Sequence, residues 1–181
     1  MPSNRDRTLA AAVELLAEEG IRSLTHLRVD ERAGLPKGST SNAFRTREAL
    51  LLGVCEHMAA TELPAVAEGF TAATSEDFVD SLVRLMDFMT GPNRSMTAAR
   101  LALFVEAGHD SGIRDALIRG RSLVEGPVRP ALVGLGAPDP ALAMQIIGTC
   151  FEGLFLHIIG GHARVDVRGV IAAAVRASLS G

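Results

Sequence analysis

The residues of this chain that could do chemistry fall into two sets: a scatter of thiols and imidazoles, and a dense polar and basic block between residues 22 and 47. The scatter assembles nothing. Cys55 and Cys150 are far apart with no CxxC pair, which speaks against a zinc ribbon or a thioredoxin-like redox site. His109, Asp110 and Ser111 are sequence neighbours, whereas a nucleophilic triad draws its members from separate segments. His157 and His162 stand five apart across Gly160-Gly161, not four apart on one helical face as a metal-binding pair would be. Gly134-Leu135-Gly136 follows no strand-like run, so it is no dinucleotide loop. The expectation is a protein that is not an enzyme, with no catalytic residues, no metal site and no cofactor.

The polar block is different. Between Arg22 and Arg47 there are six basic residues against Asp30 and Glu31, so this stretch carries a formal +4 in a chain whose total is -3. Within it, Lys37-Gly38-Ser39-Thr40-Ser41-Asn42-Ala43 holds almost no apolar side chain, and Phe44 is the one large anchor. Pro36 fits the first position of a short helix over this segment, because its missing N-H is no loss there. Serine, threonine, asparagine and glycine are mediocre helix formers with nothing to bury, so stability did not select them. Small hydroxyl and amide side chains beside arginines suit close approach to an anionic surface, with a phosphate also able to sit on the N-H groups at the helix start.

The elements that must position this block are helical. Leu9, Ala12, Val13, Leu16 and Ala17 keep the spacing of a helix with one buried face, and Gly20 ends it. Thr25 is a candidate N-cap for a second helix that faces Val29 and Ala33 inward and stops at Gly34. Two such helices and a turn form a helix-turn-helix, whose second member enters the major groove of DNA. Thr46 caps a longer helix expected to end or kink near Leu63-Pro64, and Ser75 opens another that Gly91-Pro92 stops. A helix near Ile113 and Leu117 is expected to be interrupted by Pro127 and Pro130. No strand-like alternation and no internal repeat is found, so the fold class is all α.

At 181 residues, 48% hydrophobic and 22% charged, the chain can bury a core without disulfide staples. The polar N-terminus has no apolar leader-like run, and with two separated cysteines a reducing, cytoplasmic location is expected. Residues 139–161 are apolar nearly all round. Glu152 near the centre, and ends without aromatic or basic anchors, argue against a membrane span. Such a helix can instead lie partly in its own core and partly against a partner subunit. Phe151, Leu154, Phe155 and Ile158 in it, with Val170, Ile171, Ala174 and Val175 of the last helix, are the candidate homodimer interface, two helices from each subunit. Met86, Phe88, Met89, Phe104, His109, Phe151 and Phe155 are candidates to line an apolar pocket, since methionine and phenylalanine fill irregular apolar space.

The segment Thr25 to Leu51, with Glu31-Arg32-Ala33-Gly34, Lys37-Gly38-Ser39 and Phe44-x-Thr46-Arg47-Glu48-Ala49-Leu50-Leu51, resembles the N-terminal DNA-binding domain of the TetR family of bacterial transcriptional repressors. The resemblance implies residues 1–52 as a helix-turn-helix DNA-binding domain and residues 53–181 as a helical domain for ligand binding and dimerisation. It further implies a homodimer on double-stranded operator DNA, released by a small molecule. By matching position Thr25, Lys37, Ser39 and Ser41 are expected on phosphates, Thr40 and Asn42 on base edges, and Arg28, Arg45 and Arg47 in salt-dependent contact with the backbone. The chain departs from the family in having Ser41 where an aromatic is usual, and Pro36 where a serine starts the third helix. A purely protein-binding helical dimer, the alternative reading, leaves the basic stretch and the polar third helix without a role.

Overall fold

Most of the helices begin at a side chain that accepts a backbone amide. The computed structural model describes residues 2–69, 72–162 and 164–180, with the side chains at 65–69, 123 and 124 outside that description. Helix α1 (Asn4–Glu19) starts on a reciprocal cap between Ser3 and Asp6 and ends at Gly20. After a 3₁₀ turn, Ile21–Ser23, α2 (His26–Ala33) starts on the Thr25 hydroxyl and ends on Gly34 in the left-handed conformation. Then follow α3 (Ser39–Ala43), α4 (Arg47–Gly69), α5 (Ser75–Thr90), α6 (Arg94–Glu106), α7 (Ser111–Gly134), α8 (Pro140–Gly160) and α9 (Val167–Leu179). No strand occurs among the described residues, so the protein is all α.

Three boundaries differ from those the sequence suggests. α3 starts at Ser39, not Pro36, because Gly38 sits at φ +93° ahead of it, a conformation that excludes the right-handed helix and that glycine alone adopts without cost. α4 continues through Pro64. α7 runs unbroken through Pro127 and Pro130. A proline inside a helix costs about 3 kcal/mol in lost bonding and steric conflict. In α7 the buried Val128 and Leu132, four apart on one face, hold the proline-containing turns in helical register.

The chain packs as two compact units, residues 1–61 with 95–120, and residues 62–94 with 121–181. The first has a core of Leu16, Leu24, Val29, Leu50, Val54 and Leu103, all fully or nearly fully buried, each side chain stabilising by about 1.5 to 3 kcal/mol. Phe44, just after α3, inserts its ring beside Gly53 of α4. A Cβ at Gly53 would lie 2.5 Å from Phe44 Cε1, so a glycine is what lets the ring in. In the second unit α5, α8 and α9 pack on one another. Phe78, Leu82 and Met86 give α5 one buried face, and Phe151 meets Phe155 edge-on with ring centroids 5.8 Å apart.

Candidate nucleic-acid interface

Helix α3 is one turn long and has no apolar side chain larger than Ala43, and helices this short are unstable on their own. Neighbouring groups hold it at both ends. At its start the buried Asp30 of α2 accepts the Gly38 amide on Oδ2 at 2.7 Å. Its Oδ1 accepts both the Thr40 amide at 2.7 Å and the Thr40 hydroxyl at 2.6 Å. Burial alone would raise the Asp30 pKa, but these donors outweigh it and hold the carboxyl below the usual aspartate value. At the other end His26 Nε2 donates to the Phe44 carbonyl at 2.7 Å. The Arg5 guanidinium lies 4.4 Å from the centre of the Phe44 ring, a cation–π contact. Arg7 closes the turn, donating from Nη2 to the carbonyls of Ala33 and Gly34 at 2.7 and 3.1 Å.

With both ends fixed, α3 exposes Ser41, Asn42 and Ala43. Around them Thr25, Lys37 and Arg45 are exposed. Among the described residues no carboxylate lies within ion-pair distance of Lys37, Arg45 or Arg22. Ser39 is half-buried, and its hydroxyl turns back to the Pro36 carbonyl at 2.6 Å.

Other expected contacts are corrected. Thr40 is fully buried and bonded to Asp30, so it faces into the protein and reads no base. The amides at the start of α3 are likewise taken by Asp30 and, for Ser39, by the Pro36 carbonyl, leaving no cluster there for a phosphate. Arg28 donates to both Glu19 oxygens at 2.8 and 2.6 Å, and Arg32 pairs with Glu18 at 2.9 Å. Arg47 donates to the Ile21 carbonyl at 2.8 Å and approaches Glu106 at 4.0 Å. Much of the basic surplus counted along the sequence is therefore neutralised by carboxylates of α1, which charge counting over a window cannot register. Sequence reasoning also missed Asp30, His26, Arg5 and Arg7 as supports. The signal for Asp30 was a carboxylate beside the inward-facing Val29, just ahead of a segment rich in amides and poor in anchors.

The pocket candidates divide. Phe104 and His109 belong to the first unit and are exposed there. In the second unit Met86, Met89, Phe151 and Phe155 are buried and Phe88 is half-buried. Nearby, the buried Glu62 accepts a hydrogen bond from Asn93 Nδ2 at 2.9 Å. The interface candidates are corrected in part. Phe151, Leu154, Phe155, Ile171 and Val175 are already covered within one chain, because α8 turns that side toward α5 and α9. The apolar residues it leaves outward include Leu142 and Leu156 of α8 and Val170 of α9, 51%, 53% and 40% exposed. Ile158 and Ala174 are half-buried. Glu152 is bound to Arg121 at 2.8 Å. α8 has the length and composition of a membrane span, with a third of its most apolar window buried.

A polar helix held outward by a preceding helix and turn, with unpaired cations beside it, defines a helix-turn-helix DNA-binding protein. Residues 9–54 match the model of bacterial regulatory proteins of the tetR family, and residues 73–181 match that of the tetracyclin repressor-like C-terminal domain. The chain belongs to the TetR family and is a DNA-binding transcriptional regulator. Solved structures agree in fold. A transcriptional regulator from Rhodococcus sp. RHA1 superposes with a TM-score of 0.84 at 17% identity, over 98% of this chain and 96% of that one. A regulator from Streptomyces coelicolor A3(2) gives 0.77 at 24% identity, over 99% and 100%. The multidrug binding protein EbrR in complex with ethidium gives 0.72 at 19% identity, over 97% and 98%. No match was found among curated proteins.

Proposed function

We propose that the protein is a repressor that binds a palindromic operator as a homodimer in the cytoplasm and leaves it when a small apolar ligand enters its C-terminal helices. The observation that carries this reading is the exposed Ser41-Asn42-Ala43 face of α3 on a helix otherwise fixed by bonds at both ends. Asn42 reads bases, since its amide can pair bidentately with adenine, a contact giving about 1 to 3 kcal/mol of discrimination. Ser41 and Thr25 contact the phosphate backbone, and Lys37 and Arg45 supply salt-dependent affinity. Dimerisation places two copies of α3 about 34 to 36 Å apart, one turn of DNA. The outward Leu142, Leu156 and Val170 join the half-buried Ile158 and Ala174 in the subunit contact. Met86, Phe88, Met89, Phe151 and Phe155 form the ligand site, a reading supported by the ethidium complex of EbrR. Residues 1–52 carry the DNA contacts and 53–181 the other two tasks, with α4 as the link.

The test begins by selecting duplexes from a random-sequence library with the purified protein and titrating the best of them across several salt concentrations. An inverted repeat bound far more tightly than a scrambled duplex is expected. Equal binding to both at every salt concentration would sink the reading. Lipophilic compounds that raise the melting temperature are then added to the complex, and release of the duplex is expected.

A further inference from the structure

The support of α3 from beneath is unusual in kind. A five-residue helix made of Ser39, Thr40, Ser41, Asn42 and Ala43 buries no large side chain, so apolar packing does not fix its direction. What it buries is Thr40, fully, and what Thr40 meets is a carboxylate. Asp30 bonds to residues on both sides of the α3 start, Gly38 and Thr40, and its third bond, to the Thr40 hydroxyl, sets the rotation of the helix about its own axis. Rotation is what matters for reading. Ser41 and Asn42 follow Thr40 directly, so holding Thr40 inward points them outward.

We propose that Asp30 is a positioning residue for operator recognition: a buried anion in a DNA-binding unit that increases specific affinity by presetting the rotation of α3, although its charge opposes DNA. This inference rests on the reading that α3 enters the groove. Its sign sets it apart from a general electrostatic role. Removing a negative charge should tighten binding to any polyanion, whereas releasing α3 should weaken binding only where sequence is read. If the reading conformation becomes a fraction of the population, apparent operator affinity falls by that fraction.

The experiment compares the wild type with Asp30→Asn, Thr40→Val and Thr40→Ser, by fluorescence anisotropy on the selected operator and on a scrambled duplex of equal length, over a salt series. Thermal melting is recorded for each. For Asp30→Asn the operator affinity is expected to fall roughly tenfold to a hundredfold, the range set by losing hydrogen bonds to a charged group. Affinity for the scrambled duplex is expected to stay level or rise. Thr40→Val should lose operator preference to a smaller extent, and Thr40→Ser, which retains the hydroxyl, should restore it. Operator and scrambled affinities rising together in Asp30→Asn would overturn the proposal. Equal loss on both duplexes by an Asp30→Asn variant that melts like the wild type would too, since a positioning role predicts loss only where sequence is read. Should Asp30→Asn fail to fold, Thr40→Val decides: unchanged operator preference in a variant that melts like the wild type refutes the positioning role. A wild type without operator preference would fell the repressor reading itself, an outcome read before any variant is made.

Discussion

Helices α3 and α8 are opposites in how they are held. α3 is short and polar, fixed at its ends by hydrogen bonds that Asp30 accepts and His26 donates. α8 is 21 residues long, apolar nearly all round, and fixed by packing on α5 and α9. The first has too little apolar surface to hold itself, and the second has more than its own unit covers. In the proposed reading each imbalance is met by a second molecule, DNA for one and another copy of the chain for the other.

The largest expected effect tests the second half of that contrast. Leu156→Glu combined with Val170→Glu places charge on the outward stripe of α8 and α9. Sedimentation should show monomers at micromolar concentration, and operator affinity should fall by roughly a hundredfold, as loss of a central interface cluster does. A dimer that persists would show that the stripe is not the subunit contact. Phe151→Ala, on the inward side, should instead cost about 3 to 5 kcal/mol of stability, seen in urea melts at any protein concentration.

Smaller effects probe the DNA side. Lys37→Ala and Arg45→Ala should each reduce the slope of log affinity against log salt by about 1.8, since each removes one phosphate contact from both subunits at about 0.9 apiece. Arg32→Ala should leave the slope unchanged, because Glu18 already neutralises that guanidinium; a slope change there would mean the ion pair opens on DNA.

The smallest concerns pH. Burial lowers the pKa of His57 below its usual 6.5, with the Asp6 charge opposing. The unfolded chain therefore takes up the proton first, so stability is complete above pH 6.5 and declines as pH falls toward the folded-state value. Urea midpoints at pH 7.5 and 5.5 should differ in that direction, and His57→Gln should flatten the difference.

Much of this was legible in the sequence because local chemistry decided it. Thr25 and Thr46 cap the helices that follow them, Gly20 and Gly34 end theirs, and the helical spacing of Leu9 to Leu16 marks the buried face of α1. Two things were not legible. The inward turn of Thr40 depends on Asp30, ten residues earlier on another helix, and no pattern within a window links them. The buried side of α8 could not be chosen either. Periodicity assigns a face only when apolar and polar residues alternate in phase, and a helix apolar all round has no phase, so Phe151 and Ile171 were placed on the partner's side when they belong to the chain's own core. The prolines of α7 misled for the opposite reason, a strong local rule overridden by the burial of Val128 and Leu132.

The Phe44 ring against Gly53 has a bearing on descent. The side chain of one occupies the space that any side chain on the other would need, so neither position can drift alone. Among kindred sequences a residue larger than glycine at 53 should arrive together with a smaller one at 44, and a gene that has changed only the first should betray a reading domain that no longer closes.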